Sequence, residues 1–267
     1  MSRRYSNRLV LLFVAIFLQL AANAALGRWV SVSSESPVSP KISSSGNIST
    51  FLKVNVDLAG FYLSETNSEG SNFQLPQIES GHPIMKQGNP DLPKLTFSIQ
   101  LPSSGNTEAS IVSTKFIDFP NIYILPSKGN ISRNTERTMP AKGEVYQINS
   151  FYPGKLIRAD RPYIIRSTRA GAFQVYPFQY NPVTHVLRFY YHIEYRINTT
   201  NESGDNPLKQ EDMIISQVDG FEHPLLNNQA AETKSKPLPS ENGSMLIICP
   251  KEFTNAIMPL VEWRRMT

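Results

Sequence analysis

Leu187-Arg188-Phe189-Tyr190-Tyr191-His192-Ile193-Glu194-Tyr195-Arg196-Ile197 is the stretch that decides the fold. Leu187, Phe189, Tyr191, Ile193, Tyr195 and Ile197 occupy alternate positions, and Arg188, Tyr190, His192, Glu194 and Arg196 fill the gaps. Successive side chains of an extended strand point to opposite faces, so a period of two sorts these residues onto two faces. Aromatic and β-branched residues also suit a pleated, half-buried surface. The pattern predicts one long amphipathic strand with its apolar face on a core and its polar face wet, as in an antiparallel sheet. A base- or sugar-stacking platform is the rarer reading of such aromatic density.

The same signal recurs toward the N-terminus. Asn181-Pro182-Val183-Thr184 reads as a turn, and strands are expected at 163–165 and 172–180 around an Arg169-Ala170-Gly171 turn. Leu95, Phe97, Ile99 and Leu101 alternate with polar residues after the turn Gly88-Asn89-Pro90-Asp91, and a strand at 109–119 follows. Leu52, Val54, Val56 and Leu58 open another strand, bent at Gly60. A short strand is expected at 145–148, and 126–143 reads as a polar loop. These segments make one mainly β, antiparallel, sandwich-like domain over 51–226. The Ser-rich stretch within 25–50 reads as a flexible lead-in.

The chain's ends differ in kind from this domain. Arg3, Arg4 and Arg8, then the apolar run from Leu9 to Leu20, then Ala22-Asn23-Ala24, form a secretory signal over 1–24 with cleavage after Ala24. Twelve mostly apolar residues are short for a membrane span, so no stable span is expected after cleavage. Residues 227–244 are polar, contain Pro237 and Pro239, and read as a linker in which Lys234 and Lys236 are exposed to proteolysis. Met245-Leu-Ile-Ile-Cys249 is then an unbroken apolar run, the pattern of a strand covered on both faces. Phe253, Ala256, Ile257 and Leu260 recur at helical spacing behind Pro250, with Pro259 expected to kink that helix or start a second one. The tail reads as the first strand and helix of an α/β domain over 245–267.

Composition narrows the chemistry. Removing 1–24 takes away three of the 26 Lys and Arg and no acidic residue, which leaves 23 basic against 22 acidic side chains. That balance makes no case for nucleic acid as a partner. Cys249 is the only cysteine, so the fold holds without an intrachain disulfide. His82, His185, His192 and His223 show no metal-ligand spacing, and no phosphate-binding glycine loop follows the tail strand. Neither a metal nor a cofactor is expected. Cys249 ends an apolar run, the usual setting of an inert buried thiol, and no catalytic residue is assigned. Lys155, Arg158, Arg161, Arg166 and Arg169 crowd fifteen positions after the turn Ser150-Phe151-Tyr152-Pro153-Gly154. They read either as a solvated face of hairpin strands or as a basic projection into an acidic pocket on a partner.

Three motifs in order carry a family resemblance. Gly88-Asn89-Pro90-Asp91-Leu92-Pro93, then Tyr176-Pro177-Phe178-Gln179-Tyr180-Asn181-Pro182 with the long aromatic strand, resemble the propeptide of gingipain-type (C25) cysteine peptidases. The stretch from Met245 to Trp263 is similar to the opening strand and helix of that family's catalytic domain. The resemblance implies an exported bacterial precursor, secreted or at the cell surface. Its prodomain keeps a caspase-like α/β peptidase latent and assists its folding. The partner it implies is the cognate peptidase domain. The family's catalytic His and Cys lie well beyond the first helix and have no counterpart here, so Cys249 does not inherit the role and this chain alone should be inactive. Family prodomains can block the active site with a basic residue, for which Lys155, Arg158 and Arg161 are the candidates. Maturation is expected near Lys234 or Lys236. Competing readings are a stand-alone secreted β-sandwich binding or adhesion module, and the prodomain of a sortase-like secretion-system peptidase.

Overall fold

The structure, a computed structural model, describes residues 27–68, 70–132, 134, 140–165, 168–200, 204–209, 225–227 and 246–266. The strands in chain order are β1 (Arg28–Ser31), β2 (Lys41–Asn47), β3 (Phe51–Asp57), β4 (Gly60–Ser68), β5 (Ser71–Gln77), β6 (His82–Pro83) and β7 (Pro93–Gln100). They continue with β8 (Thr107–Phe119), β9 (Ile157–Ala159), β10 (Tyr163–Ile165), β11 (Thr168–Val175), β12 (Phe178–Asn181) and β13 (Val186–Thr199). Among the described residues one α-helix, α1 (Thr254–Met266), follows near the C-terminus. The chain divides into a β unit and a C-terminal unit that contains α1.

β13 is the strand the alternation predicts, and it organises the first sheet. β8 runs antiparallel to it from Thr107 opposite Thr199 to Phe119 opposite Leu187. The other edge of β13 is shared: β12 pairs with its first residues and β3 with 192–197, and β2 extends the sheet beyond β3. In the second sheet β11 is central, with β7 on one edge and β9 and β10 sharing the other. Leu52, Val54 and Val56 of β3 and Phe189, Ile193, Tyr195 and Ile197 of β13 bury into one cluster with Leu95 and Ile99 of β7 and Phe173 and Val175 of β11. Two antiparallel sheets thus close on a single apolar layer, the expected sandwich-like arrangement.

β3 and β4 form the strand expected to bend at Gly60. The bend sends β4 into a separate three-stranded sheet with β1 and β5. A Cβ at Gly60 would collide with the Val30 carbonyl oxygen and the Trp29 ring, so only glycine permits this corner. Just beyond it, Phe61 drops between Phe189, Phe178 and Phe119 with ring centroids 4.8, 5.1 and 5.5 Å away.

Five local expectations change. The Ser-rich lead-in contains β1 and β2; β2 is held by its backbone ladder to β3, which a polar composition does not reveal. Residues 144–147 form a 3-10 helix rather than a strand, because no ladder is offered to them and the Tyr146 hydroxyl instead donates to the Ile124 carbonyl at 2.8 Å. Arg169-Ala170-Gly171 lies inside β11 rather than in a turn. Tyr190, assigned to the wet face, is buried and donates to Gln179 Oε1 at 3.0 Å, while Tyr191 sits in a bulge where its carbonyl accepts the Leu58 amide at 2.9 Å.

The fifth change concerns the C-terminal unit. Residues 246–250 take no ladder, with Leu246 and Ile248 more than four-fifths exposed, where a strand was expected. An apolar strand covered on both faces needs neighbours on both edges, and this unit supplies none among the described residues. The helix forms as the spacing predicts, runs through Pro259, and has no buried residue.

Candidate functional site

The turn before β9 is built to present one side chain. Tyr152 and Tyr180 exchange both backbone hydrogen bonds, at 2.9 and 2.7 Å. Gln179 Nε2 donates to the Pro153 carbonyl at 2.8 Å across a cis Tyr152–Pro153 bond, and Asn181 Nδ2 donates to Asn149 Oδ1 at 2.8 Å. Past the apex, the Tyr176 amide donates to the Leu156 carbonyl at 2.8 Å, and β9 joins the edge of β11. Gly154 and Lys155 are therefore the exposed apex between two anchored flanks. The Tyr-Pro-Phe-Gln-Tyr-Asn-Pro motif supplies most of those anchors. Asn181 Oδ1 also accepts the Val183 and Thr184 amides at 3.1 and 3.3 Å and so shapes the turn into β13.

The basic candidates have different fates. Arg158 on β9 turns back onto Asp160, donating to Oδ1 from Nε at 3.0 Å and from Nη2 at 2.6 Å. Asp160 also accepts from Gln174 Nε2, whose Oε1 takes bonds from Lys94 Nζ at 3.0 Å and Tyr176 Oη at 2.8 Å. Burial alone would raise the Asp160 pKa, but the hydrogen bonds from Arg158 and Gln174 and the charges of Arg158 and Lys94 hold it below its ordinary value. Arg161 faces Asp205 at 3.8 Å, an exposed and weak pair. Lys155 makes no hydrogen bond or ion pair among the described residues. The structure thus brings Lys155 and Arg158 onto one edge, and of the three candidates Lys155 alone has no carboxylate partner among the described residues.

Arg169 is the residue that reading by charge misplaces. It is 1% exposed and faces no carboxylate at bonding distance. Its guanidinium donates to Asn206 O, Pro102 O and Gly105 O at 2.9 Å each and to Asp205 O at 2.8 Å. It is a clamp that closes residues 102–105 onto 205–206.

The Gly-Asn-Pro-Asp turn is a second knot. Gly88 donates to Ser127 O at 2.9 Å and accepts from Gly143 N at 2.8 Å, while Ser127 N donates to Asn89 O at 2.7 Å and Asp91 N to Leu125 O at 2.9 Å. Both ends of the 127–143 loop are tied to it. Gly88 has φ +76°, a conformation L side chains rarely adopt, and a Cβ there would crowd Gly143 N at 3.2 Å, so the turn favours glycine. Ala24, Lys234 and Lys236 lie outside the described residues.

Three comparisons with known proteins bear on these features. The C25 propeptide family model matches residues 38–230. Gingipain R1 of Porphyromonas gingivalis is 30% identical over 215 residues, covering 79% of this chain and 22% of that protein. Gingipain R2 of strain W83 is 32% identical over 196 residues, covering 72% and 26%. The chain spans about a quarter of the length of these relatives. A solved complex of the P. gingivalis RgpB pro- and mature domains superposes with a TM-score of 0.61 at 28% identity, covering 65% of this chain and 91% of that one. A structure bearing on zymogenic latency of gingipain K has a TM-score of 0.56 at 15% identity, covers 66% of this chain and 100% of that one, and shows the fold alone. The family match takes in β2 to β13, the Gly88 knot and the Lys155 turn together, and the chain belongs to the C25 propeptide family of gingipain-type cysteine peptidases.

Proposed function

We propose that this chain is the leader-proximal part of an exported bacterial cysteine peptidase precursor, whose β unit restrains the cognate peptidase and assists its folding. The observation that carries the reading is the propeptide-family match over 38–230, the whole of the sandwich. The similar RgpB structure, a complex of pro- and mature domains, supports the peptidase as partner. Among the described residues no helix is long and apolar enough to cross a membrane, and export rests on the 1–24 signal with cleavage after Ala24. Residues 245–267 are the threshold of the peptidase domain, and maturation occurs at Lys234 or Lys236 in the 227–244 linker.

Lys155 is the side chain that enters the peptidase's site. Its exposed apex, fixed flanks and lack of a carboxylate partner support it, whereas Arg158 would first have to leave Asp160 and Arg161 stands on a weak pair. The test adds the chain to the mature cognate peptidase and measures inhibition for wild type, Lys155→Ala, Arg158→Ala and Arg161→Ala. Lys155→Ala is expected to weaken inhibition at least tenfold and the other two by less than threefold. Unchanged inhibition in all three rejects a basic blocking residue on this edge. A wild-type chain that does not inhibit rejects the restraining role itself. N-terminal sequencing of the mature enzyme that finds a start outside 227–244 rejects the maturation site.

A further inference from the structure

β8 is a long edge strand: no described strand pairs with its outer edge, and the short β9 lies near it. β8 pairs with β13 on one side only, while the other sheet edges are blunted: β2 reads Lys-Ile-Ser-Ser-Ser-Gly-Asn, β5 contains Pro76, and β1, β9 and β10 have three or four residues. Short strands and proline are among the devices that keep sheet edges from adventitious pairing, and β8, 13 residues long and without proline, has neither, although it carries Glu108, Lys115 and Asp118. Directly opposed residues of an antiparallel pair share a face. Ile117 opposes Phe189 and Ile111 opposes Tyr195, so both isoleucines lie on the core-facing side. They are nevertheless 39% and 45% exposed; Phe116, opposite Tyr190 on the other face of the sheet, is 45% exposed and the bulged Val112 50%. The sandwich is open along β8.

On the face that carries Phe116, this edge continues into the Lys155 turn. The Arg188 guanidinium lies 4.1 Å from the Phe116 ring on β8 and 4.3 Å from the Phe151 ring in the turn, and its fork to Asp118 holds it there at 2.8 Å for both bonds. A peptidase that receives Lys155 must bring the rim of its active site over Phe151 and Phe116. We infer that the β8 edge is the docking surface for the cognate peptidase domain, with Phe116 on one face and Ile111 and Ile117 on the other covered by apolar surface that straddles the edge beside the peptidase's active site. The inference rests on the restraining role proposed above and assigns it a surface.

The test uses the whole chain and the mature cognate peptidase. Ile111→Lys/Ile117→Lys is expected to raise the inhibition constant at least tenfold at unchanged melting temperature. Val38→Lys, at an exposed apolar residue before β2, is expected to leave it unchanged. Hydrogen exchange on the wild-type chain, which needs no variant to fold, should show 107–119 protected when the peptidase is added. A wild-type chain that inhibits while β8 exchanges as freely as before overturns this surface and leaves the restraining role intact. A chain whose β8 is already protected by self-association, and is released by the peptidase, assigns the strip to a second copy and overturns it too. A chain that does not inhibit overturns both.

Discussion

Tyr195 carries its hydroxyl into the middle of the sandwich, where it has no hydrogen-bond partner among the described residues, and burial pushes its pKa well above the ordinary phenol value. An orphaned buried hydroxyl costs more than it returns, so Tyr195→Phe should stabilise the β unit by about 1 kcal/mol. Thermal melting should register that as a rise of about 2–4 °C. Asp91 at the Gly88 knot is a second uphill group. Its Oδ1 has no partner, and burial raises its pKa above 3.8 against the opposing hydrogen bond from Ser127 and the charge of Lys128. Between the unfolded and folded pKa values the native state keeps a proton that the unfolded chain has released, so stability falls as pH rises through that window. Asp91→Asn should therefore melt higher than wild type at pH 7, and the gain should disappear at pH 3, where the carboxyl is protonated in both states. A gain that persists at pH 3 would show that charge is not its cause.

At the scale of elements, the Arg169 clamp is the sharpest case. Arg169→Met keeps the bulk but leaves the carbonyls of Pro102, Gly105, Asp205 and Asn206 without their donor. The loss should be at least ~3 kcal/mol, read by denaturant unfolding. Arg169→Lys should recover little of it, since one ammonium cannot reproduce the planar fork. β13, β7 and the bent β3–β4 pair are legible because each spends its alternation on one buried face. β2 is not, since Ser43 to Ser45 enter the sheet through backbone bonds that any residue makes. The clamp is illegible for a different reason. Its acceptors lie up to 67 positions away along the chain and are carbonyls, which leave no mark on composition. Of the basic candidates, sequence places the cluster correctly on turn and strand. Only the positions of Asp160 and Asp205 separate Lys155 from Arg158 and Arg161.

For the molecule as a whole, the two units contrast in how they treat apolar surface. The β unit buries its aromatic residues in one layer, whereas Leu246, Ile248, Phe253, Leu260, Trp263 and Met266 of the C-terminal unit are exposed. Exposed apolar clusters of this kind drive self-association. A chain ended at Gly243 should stay monomeric at concentrations where the 267-residue chain aggregates, with the same melting temperature for the β unit. Light scattering checks the first expectation and calorimetry the second. An equal tendency to aggregate would shift the blame to β8.

The tie between Gly88, Asn89, Ser127 and Gly143 has one more consequence. Among the described residues, the loop leaves and rejoins the sandwich at this tie, which the backbone bonds hold shut. Closing a longer flexible loop costs little more, about 0.6 kcal/mol for each doubling of its length. What lies between residues 128 and 142 can thus be rewritten without renegotiating the core. The propeptide is a framework whose core is insulated from changes in this insert.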